Sequence, residues 1–538
     1  MKNNNYRAGK KAEKSDLIDA NEIIQKYYHI TPKSGNNHNS IKFGTSGHRG
    51  ESTKCTFNEL HVLAISQAIV EQRKILGING PCFVGRDTHA LSDPAFNSVL
   101  EVLIANNIDV IIQSNNYYVP SPIISHAIIN HNKKFISKSD GIIITSSHNP
   151  PQYGGIKYNS CNGGPANYKI TKYIEEIANL ILFKNLSKIK RVSLFRSKQK
   201  GNIYNRDITY KYVNDIYKVV DMESIKNSNI KLAIDPLGSS GILCWQLIED
   251  IYKLNLTILN KNIDNTFYFL CLDYDGTIRM DCSSKPVLTN LLKLSKNFDL
   301  SFANDPDCDR HCIIESNKII YPNHYLSVAS HYLFKNRNNW NKSIGLGKTY
   351  VSSKMINSIS NHLNKKLIQT PVGFKWFVDF LFYRNLGFCL EESSGATFLC
   401  SNGNTWSTDK DGIIMCLLSA EIVTNTKKRI NIYYKNLENA FGCFYYKRFQ
   451  YIIKEKNLGI NYKINIRKIK HCILTDDKII YYMFNINNIL VEFINGWIAI
   501  RPSGTENFYR IYCESFIDDT HLKKLQKSAI NIINIMLK

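Results

Sequence analysis

Apolar residues along this chain come in short runs, and most runs end in a turn rich in Gly, Pro, Ser or Asp before a helical pattern begins. GIIIT (141–145) precedes SSHNPP, KLAID (231–235) precedes PLGSSG, and DLSFAND (299–305) precedes PDCDR. A buried strand, a polar loop and a helix in succession form the repeating unit of α/β domains, so the pattern predicts an α/β fold. Ligands of open α/β sheets gather at the carboxyl ends of strands, which makes these loops the first place to seek chemistry. The carboxyl-terminal segment has a different texture. Its strands IAIRPS and FYRIYCES flank a loop with no long helix between them, which predicts an α+β domain with more antiparallel pairing.

At 538 residues the chain exceeds several times what one hydrophobic core organises. Composition shifts near 205, 318 and 438 divide it into a polar leader (1–40) and four domains (41–204, 205–317, 318–438 and 439–538). Hydrophobic residues make up 43% and charged residues 21%, ordinary globular usage that excludes a fibrous or disordered class. No run approaches the roughly eighteen apolar residues that a membrane span requires, and the polar start MKNNNYRAGKKAEKSD lacks a secretory core. The 14 cysteines include no CxxC pair, so they read as reduced thiols, and a cytoplasmic location is expected.

Sixty-eight Lys and Arg against 45 Asp and Glu give a formal charge of +23, which invites a nucleic-acid reading. The basic residues are spread along the whole length, however, together with an excess of Asn, Ile and Tyr, as genome bias produces. The densest run (184–200) reads as a solvated surface between domains. No nucleic-acid or membrane partner is expected, and the oligomeric state, monomer or homodimer, is not legible.

Three loops carry candidate chemistry. In TSSHNPPQYGGIKYN (145–159), Ser147 follows a buried strand in a turn that Pro150 and Pro151 stiffen, which fixes its hydroxyl at a sheet edge. Serines in turns are structural far more often than nucleophilic, and the absence of a GxSxG elbow gives no support to a serine hydrolase. In DPDCDR (305–310), alternating Asp305, Asp307 and Asp309 after a strand can direct three hard oxygen ligands at one divalent ion. An EF-hand would need Gly and Glu where Arg310 and Ser316 stand, so the calcium-sensor pattern fails. In RPSGTE (501–506), Arg501, Ser503, Gly504 and Thr505 supply the donors that wrap a phosphate, although a β-turn with a chance Arg reads equally well. A fourth segment, EESSGATF (391–398), sets paired acids and hydroxyls beside a glycine, which suits vicinal sugar hydroxyls.

In this order the segments resemble the signature set of the α-D-phosphohexomutases: FGTSGHRG (43–50), SHNPP, DPDCDR, EES and RPSGTE. The chain is more similar still to bacterial-type phosphoglucomutases through GPCFVGRDTHALSDPAF, GGIKYN, IRMDCSS, VGFKWFVD and WSTDKDGIIMCLL. Five ordered motifs over most of the chain are far more specific than any one of them. The resemblance implies three related α/β domains with mixed sheets and a C-terminal α+β domain around a central cleft. It implies a phosphoserine at Ser147, with Ser146 beside it as an alternative, and Mg²⁺ held by Asp305, Asp307, Asp309 and a phosphoserine oxygen. Arg49, His148, Lys157 and Arg310 would surround the reacting phosphoryl group, with Lys157 as proton-transfer partner. Glu391 and Ser393 would read the sugar, Lys375 and Lys410 would border its cleft, and Arg501, Ser503, Gly504 and Thr505 would grip the idle phosphate.

The implied reaction interconverts α-D-glucose 1-phosphate and D-glucose 6-phosphate through glucose 1,6-bisphosphate, with water excluded from the phosphoserine. A mutase for mannose or glucosamine phosphates, or a noncatalytic phosphosugar-binding protein, are the rival readings. Close relatives carry Gly-Gly before Glu-Glu-Ser, where this chain has Cys389 and Leu390, a departure that bears on the path of the sugar loop.

Overall fold

Strand-forming Val, Ile, Phe and Tyr runs alternate with amphipathic helices, and they assemble into four sheets. The computed structural model describes residues 5–33, 37–44, 46–184, 186–193, 201–453, 471–485, 488–502 and 508–537. Two compact units emerge, one of Asn4–Tyr350 with Leu363–Asn431 and one of Val351–His362 with Ile432–Lys538.

The first unit holds three mixed sheets. Sheet one contains β1 (His48–Glu51), β2 (Cys82–Arg86), β3 (Val110–Gln113), β4 (Asp140–Ile144), β5 (Tyr153–Asn159) and β6 (Ile203–Arg206), in the order β1-β5-β4-β2-β3-β6. Sheet two contains β7 (Leu232–Asp235), β8 (Leu256–Ile258), β9 (Leu300–Asn304), β10 (His311–Glu315) and β11 (Lys318–Ile319), in the order β11-β10-β9-β7-β8. Sheet three contains β12 (Gly345–Thr349), β13 (Leu367–Thr370), β14 (Leu386–Glu391) and β15 (Gly395–Phe398), in the order β13-β12-β14-β15.

One rule governs all three. Each sheet has a parallel body and an antiparallel return strand, and the return pairs are β4 with β5, β9 with β10, and β14 with β15. The serine, metal and sugar loops are the connections within those pairs, so each leaves the carboxyl end of a buried parallel strand and turns back at once. Such strands read as near-continuous apolar runs because both faces are covered, which is why GIIIT and DLSFA were visible in the sequence. The expected mixed-sheet architecture is therefore present.

The amino-terminal segment contributes to this unit as well. Residues 5–12 run along 270–274 with backbone bonds such as Gly9 N–H to Leu272 O (2.8 Å). The helix Ala20–His29, capped by Asp19, then buries Ile23 and Tyr27 in the first core, where the Tyr27 hydroxyl donates to Ser98 Oγ at 3.0 Å. Alternation in the leader is too weak to announce this; its few apolar side chains act through one face of a short helix.

Beneath sheet one, buried Arg73 pairs with buried Asp140, which also accepts the Tyr158 hydroxyl at 2.6 Å. Removing one partner strands the other charge in the core. Arg73→Met is expected to lower unfolding stability by about 3–5 kcal/mol, read as a fall in the urea midpoint; an unchanged midpoint contradicts the pairing.

The second unit is a five-stranded antiparallel sheet of β16 (Tyr445–Ile452), β17 (Ile479–Asn485), β18 (Asn488–Phe493), β19 (Gly496–Pro502) and β20 (Phe508–Ser515), ordered β16-β20-β19-β18-β17. The helix Asp519–Met536 covers one face with Leu522, Leu525, Ala529, Ile532 and Ile533. This is the predicted α+β texture. Among the described residues no helix is long and apolar enough to cross a membrane.

Candidate active site

Serine loop and metal loop meet directly. Ser147 donates its hydroxyl to Asp305 Oδ2 at 3.0 Å across 158 residues of sequence, and its Oγ also lies 3.2 Å from His148 Nδ1. The neighbouring Ser146 faces the other way and donates to Tyr153 O at 3.3 Å. The difference arises in the backbone: Ser147 has φ of 58°, a left-handed conformation that non-glycine residues seldom adopt without support. Support comes from Thr145 Oγ1, which accepts the Ser147 N–H at 2.8 Å, and from Gly155 of β5. A Cβ on Gly155 would collide with the Thr145 carbonyl oxygen, so only glycine lets β5 pass this close behind the loop.

Asp305, Asp307 and Asp309 are all buried, and one carboxylate oxygen from each lies within 4.8 Å of the others. Asp305 Oδ1 accepts the Arg310 N–H at 3.0 Å, and the Ser240 N–H and hydroxyl both donate to Pro306 O, at 2.9 and 2.7 Å, which fixes the loop from behind. Asp307 Oδ1 and Asp309 Oδ1 are buried without a hydrogen-bond partner among the described residues. Burial, then the charges of Asp307 and Asp309, push the Asp305 carboxyl well above the usual carboxylate range. Three hard anionic oxygens in mutual repulsion, two of them with unused lone pairs, fit a divalent cation with oxygen preference.

Cationic side chains ring the acids. Lys157 on β5 donates to Asp307 Oδ2 at 2.6 Å and lies 3.3 Å from Asp309 Oδ2, while Lys410 Nζ lies 2.8 Å from Asp309 Oδ2. Burial alone would lower the Lys157 pKa, but Asp307 and Asp309 raise it above the ordinary lysine value, so the ammonium keeps its proton. Burial would raise Asp309, yet Lys410, Lys157 and Arg310 hold it below the ordinary range. Arg310 Nε stands 3.9 Å from Asp305 and 3.8 Å from Asp309. Arg49 donates to Ser46 Oγ at 3.0 Å, and Ser46 lines a pocket with Phe43, Lys157 and Lys375.

The sugar loop joins from the third sheet. Glu391 is buried at the end of β14 and accepts the Gly373 N–H at 2.9 Å; burial raises its pKa and Lys410 opposes the rise. Ser393 is half-buried in the turn that follows. His311 N–H donates to Ser394 O at 3.1 Å, which ties this loop to the strand that follows the metal loop, and Gly412 N–H, at the start of the helix Gly412–Thr426, donates to Cys308 O at 2.9 Å. Lys375 points its ammonium at the rings of Tyr168 and Trp376, 5.7 and 5.9 Å from their centres. Cys389 and Leu390 are fully buried in β14, paired with Thr397 and Ala396, and neither has positive φ. An extended strand asks for no glycine there, so the departure from Gly-Gly leaves the backbone path intact.

Arg501 belongs to the second unit, on β19, and donates from Nε to Asn488 Oδ1 at 3.1 Å. Ser503, Gly504 and Thr505 lie outside the described residues.

Sequence reasoning missed three groups. Ser121, the first residue of the helix Ser121–Lys134, donates its N–H to Asp307 O (2.9 Å) and its hydroxyl to Asp307 Oδ2 (2.8 Å). Its signal was the Ser-Pro helix start in VPSP. Thr145 holds Ser147, as described above. Burial would raise the carboxyl of Asp281, inside IRMDCSS, but electrostatic interaction with His148 and Arg310 holds it low.

Models of the phosphoglucomutase/phosphomannomutase family match the chain in four parts. α/β/α domain I covers residues 40–185, domain II 210–318, domain III 321–441, and the C-terminal domain 485–532. A phosphoglucomutase of Komagataeibacter xylinus is 44% identical, with 98% of this chain and 97% of that protein aligned. Phosphoglucomutase 1 of Drosophila melanogaster is 26% identical over 76% of this chain and 74% of its own. Among solved structures, the open form of the Paramecium phosphoglucomutase parafusin superposes with a TM-score of 0.74 at 22% identity, covering 94% of this chain and 96% of that one. A putative phosphomannomutase of Thermus thermophilus gives 0.72 at 20% identity, covering 92% and 99%.

Proposed function

This chain belongs to the phosphoglucomutase/phosphomannomutase family, and from that premise we propose how its three converging loops carry out the reaction. The protein is an isomerase that interconverts α-D-glucose 1-phosphate and D-glucose 6-phosphate. The observation that carries the mechanistic reading is the 3.0 Å approach of Ser147 Oγ to the buried three-carboxylate cluster.

Phosphoryl transfer asks for alignment and charge neutralisation more than for covalent chemistry. Ser147 carries the transferable phosphoryl group and donates it to whichever hydroxyl of the sugar phosphate is free, giving glucose 1,6-bisphosphate. The bisphosphate reorients and returns its other phosphoryl group to Ser147. Asp305, Asp307 and Asp309 would hold Mg²⁺ with an oxygen of the phosphoserine, and the ion when bound supplies Lewis-acid charge withdrawal.

The remaining work falls to side chains. Lys157, kept protonated by Asp307 and Asp309, gives a proton to the serine oxygen as it leaves, and the amine so released takes the proton that the attacking hydroxyl loses. Arg49, His148 and Arg310 supply further donors to the phosphoryl oxygens, Arg310 with the planar fork that suits them. Glu391 and Ser393 accept from and donate to sugar hydroxyls, while Lys375 and Lys410 border them. Two substrate orientations require a loop that reads hydroxyls rather than phosphate, which suits the acidic Glu391. Arg501, with Ser503, Gly504 and Thr505, binds the phosphate that is not reacting.

A coupled mutase assay on the purified chain, with and without Mg²⁺ and glucose 1,6-bisphosphate, tests the reading. Turnover that needs both supports it; phosphorylated protein without turnover on glucose phosphates overturns it. Arg501→Ala is expected to raise KM about tenfold to a hundredfold with a smaller change in kcat, since a grip on the idle phosphate serves ground and transition states alike. A fall confined to kcat contradicts that role.

A further inference from the structure

Behind the serine loop lies a histidine that the mechanism above does not use. His89, in the turn after β2, is buried with 1% of its surface exposed. Its Nδ1 is 2.9 Å from Asp87 Oδ2, and its Nε2 is 3.0 Å from the carbonyl oxygen of Asn149, two residues beyond Ser147. A carbonyl oxygen and a carboxylate are both acceptors, so satisfying both contacts requires a proton on each ring nitrogen. Asp87 is fixed in turn: Oδ1 accepts the Ser92 hydroxyl at 2.5 Å and the His89 N–H at 3.0 Å, and its backbone N–H donates to Ile144 O at 2.9 Å.

Asp87 reaches the loop from its other side too. Burial would raise its carboxyl, but His89, Ser92 and the nearby Thr145 side chain hold it low, and Thr145 Oγ1 accepts the Ser147 N–H. Asp87 and His89 thus hold the residues on both flanks of Ser147, whose left-handed φ is costly unless its neighbours fix it. We propose that His89, as a doubly protonated imidazolium braced by Asp87, is a positioning residue that tethers the Asn149 carbonyl and so aims Ser147 at the metal loop. The inference rests on the reading of Ser147 as the phosphoryl carrier.

The surroundings agree. Burial by itself disfavours the charged ring, but Asp87, the Asn149 carbonyl and the more distant Asp307 outweigh it and raise the His89 pKa. The ring of Phe267 packs against His89 at 5.5 Å between centres and brings no competing charge. An imidazolium here adds a positive charge behind the serine loop.

The test compares full-length wild type, His89→Ala and His89→Gln. Glutamine retains a donor of similar reach but no charge. His89→Ala is expected to lower kcat about tenfold to a hundredfold with KM for glucose 1-phosphate within about twofold, because a loop displaced by an ångström or less loses alignment rather than binding. His89→Gln is expected to recover most of that loss. Heteronuclear NMR of histidine-labelled wild-type protein reports the ring directly, with two protonated nitrogens expected for His89 at pH 7. A wild-type kcat in His89→Ala, a His89→Gln as slow as His89→Ala, or a singly protonated ring each overturns the proposal. Wild-type protein that shows no phosphoserine would instead overturn the Ser147 reading, and the NMR result would still report on His89.

Discussion

Ser147→Ala is expected to abolish mutase turnover, with a loss in kcat of about 10⁴-fold or more, because in the proposed mechanism Ser147 is the group that carries the phosphoryl between substrate orientations. The same substitution should remove the added phosphate of about 80 Da that intact mass spectrometry is expected to show on wild-type protein. The adjacent residue supplies the control. Ser146 turns its hydroxyl to Tyr153 O, away from Asp305, so Ser146→Ala should retain both the phosphate and turnover. Folding should be unaffected in the alanine variant, since the Ser147 backbone bond to Thr145 Oγ1 survives loss of the side-chain oxygen. Substantial turnover in Ser147→Ala, or a phosphate that persists there, would remove the covalent step from the mechanism.

Asp307→Asn is the second large effect. Asp307 Oδ2 accepts both Ser121 and Lys157, while Oδ1 is buried with no hydrogen-bond partner among the described residues, so the substitution deletes the charge of the proposed metal ligand without deleting volume. Turnover should fall about 10²- to 10³-fold, the usual scale for losing a charge-stabilising group at the reacting centre. The Mg²⁺ concentration for half-maximal activity should rise as well. An unchanged Mg²⁺ response would contradict the ligand assignment.

The variant should also change how stability depends on pH. Burial and the charges of Asp307 and Asp309 raise the Asp305 pKa in the folded state, so the metal-free fold binds that proton more tightly than the unfolded chain does. Its stability therefore declines as pH climbs out of the ordinary carboxylate range toward the raised folded value. Removing the Asp307 charge relieves part of that decline but costs buried Lys157 one of its two carboxylate partners, so the fall in melting temperature with rising pH should be shallower in metal-free Asp307→Asn than in metal-free wild type.

Much of this protein was legible before any coordinates. Alternation and apolar runs mark β4, β7 and β9, because a strand covered on both faces must be apolar throughout. Polar loops follow such strands because backbone that leaves a sheet has to find other partners. The residue types in those loops, three acids at spacing two, a serine ahead of two prolines, and paired acids before a glycine, suggest a cation site and sugar contacts, and the resemblance adds the phosphoryl group. The ordered set of motifs pointed to the family, and the family models match it.

What the sequence could not decide is which of two adjacent hydroxyls faces the acids, and which distant groups stand behind them. Ser146 and Ser147 have the same chemistry; the left-handed φ at Ser147 separates them, and that angle is held by Thr145, by Gly155 and, on our proposal, by His89. Ser121 reaches Asp307 across 186 residues, and Lys157 reaches it across 150. No periodicity encodes such meetings. Local pattern records whether a side chain faces core or solvent, whereas the identity of its neighbour is fixed only when sheets pack and each buried polar atom must be satisfied by whatever the fold brings beside it. Cys389 and Leu390 teach the same lesson in reverse: a substitution that looked disruptive in one dimension lies in an extended, buried strand where glycine was never needed.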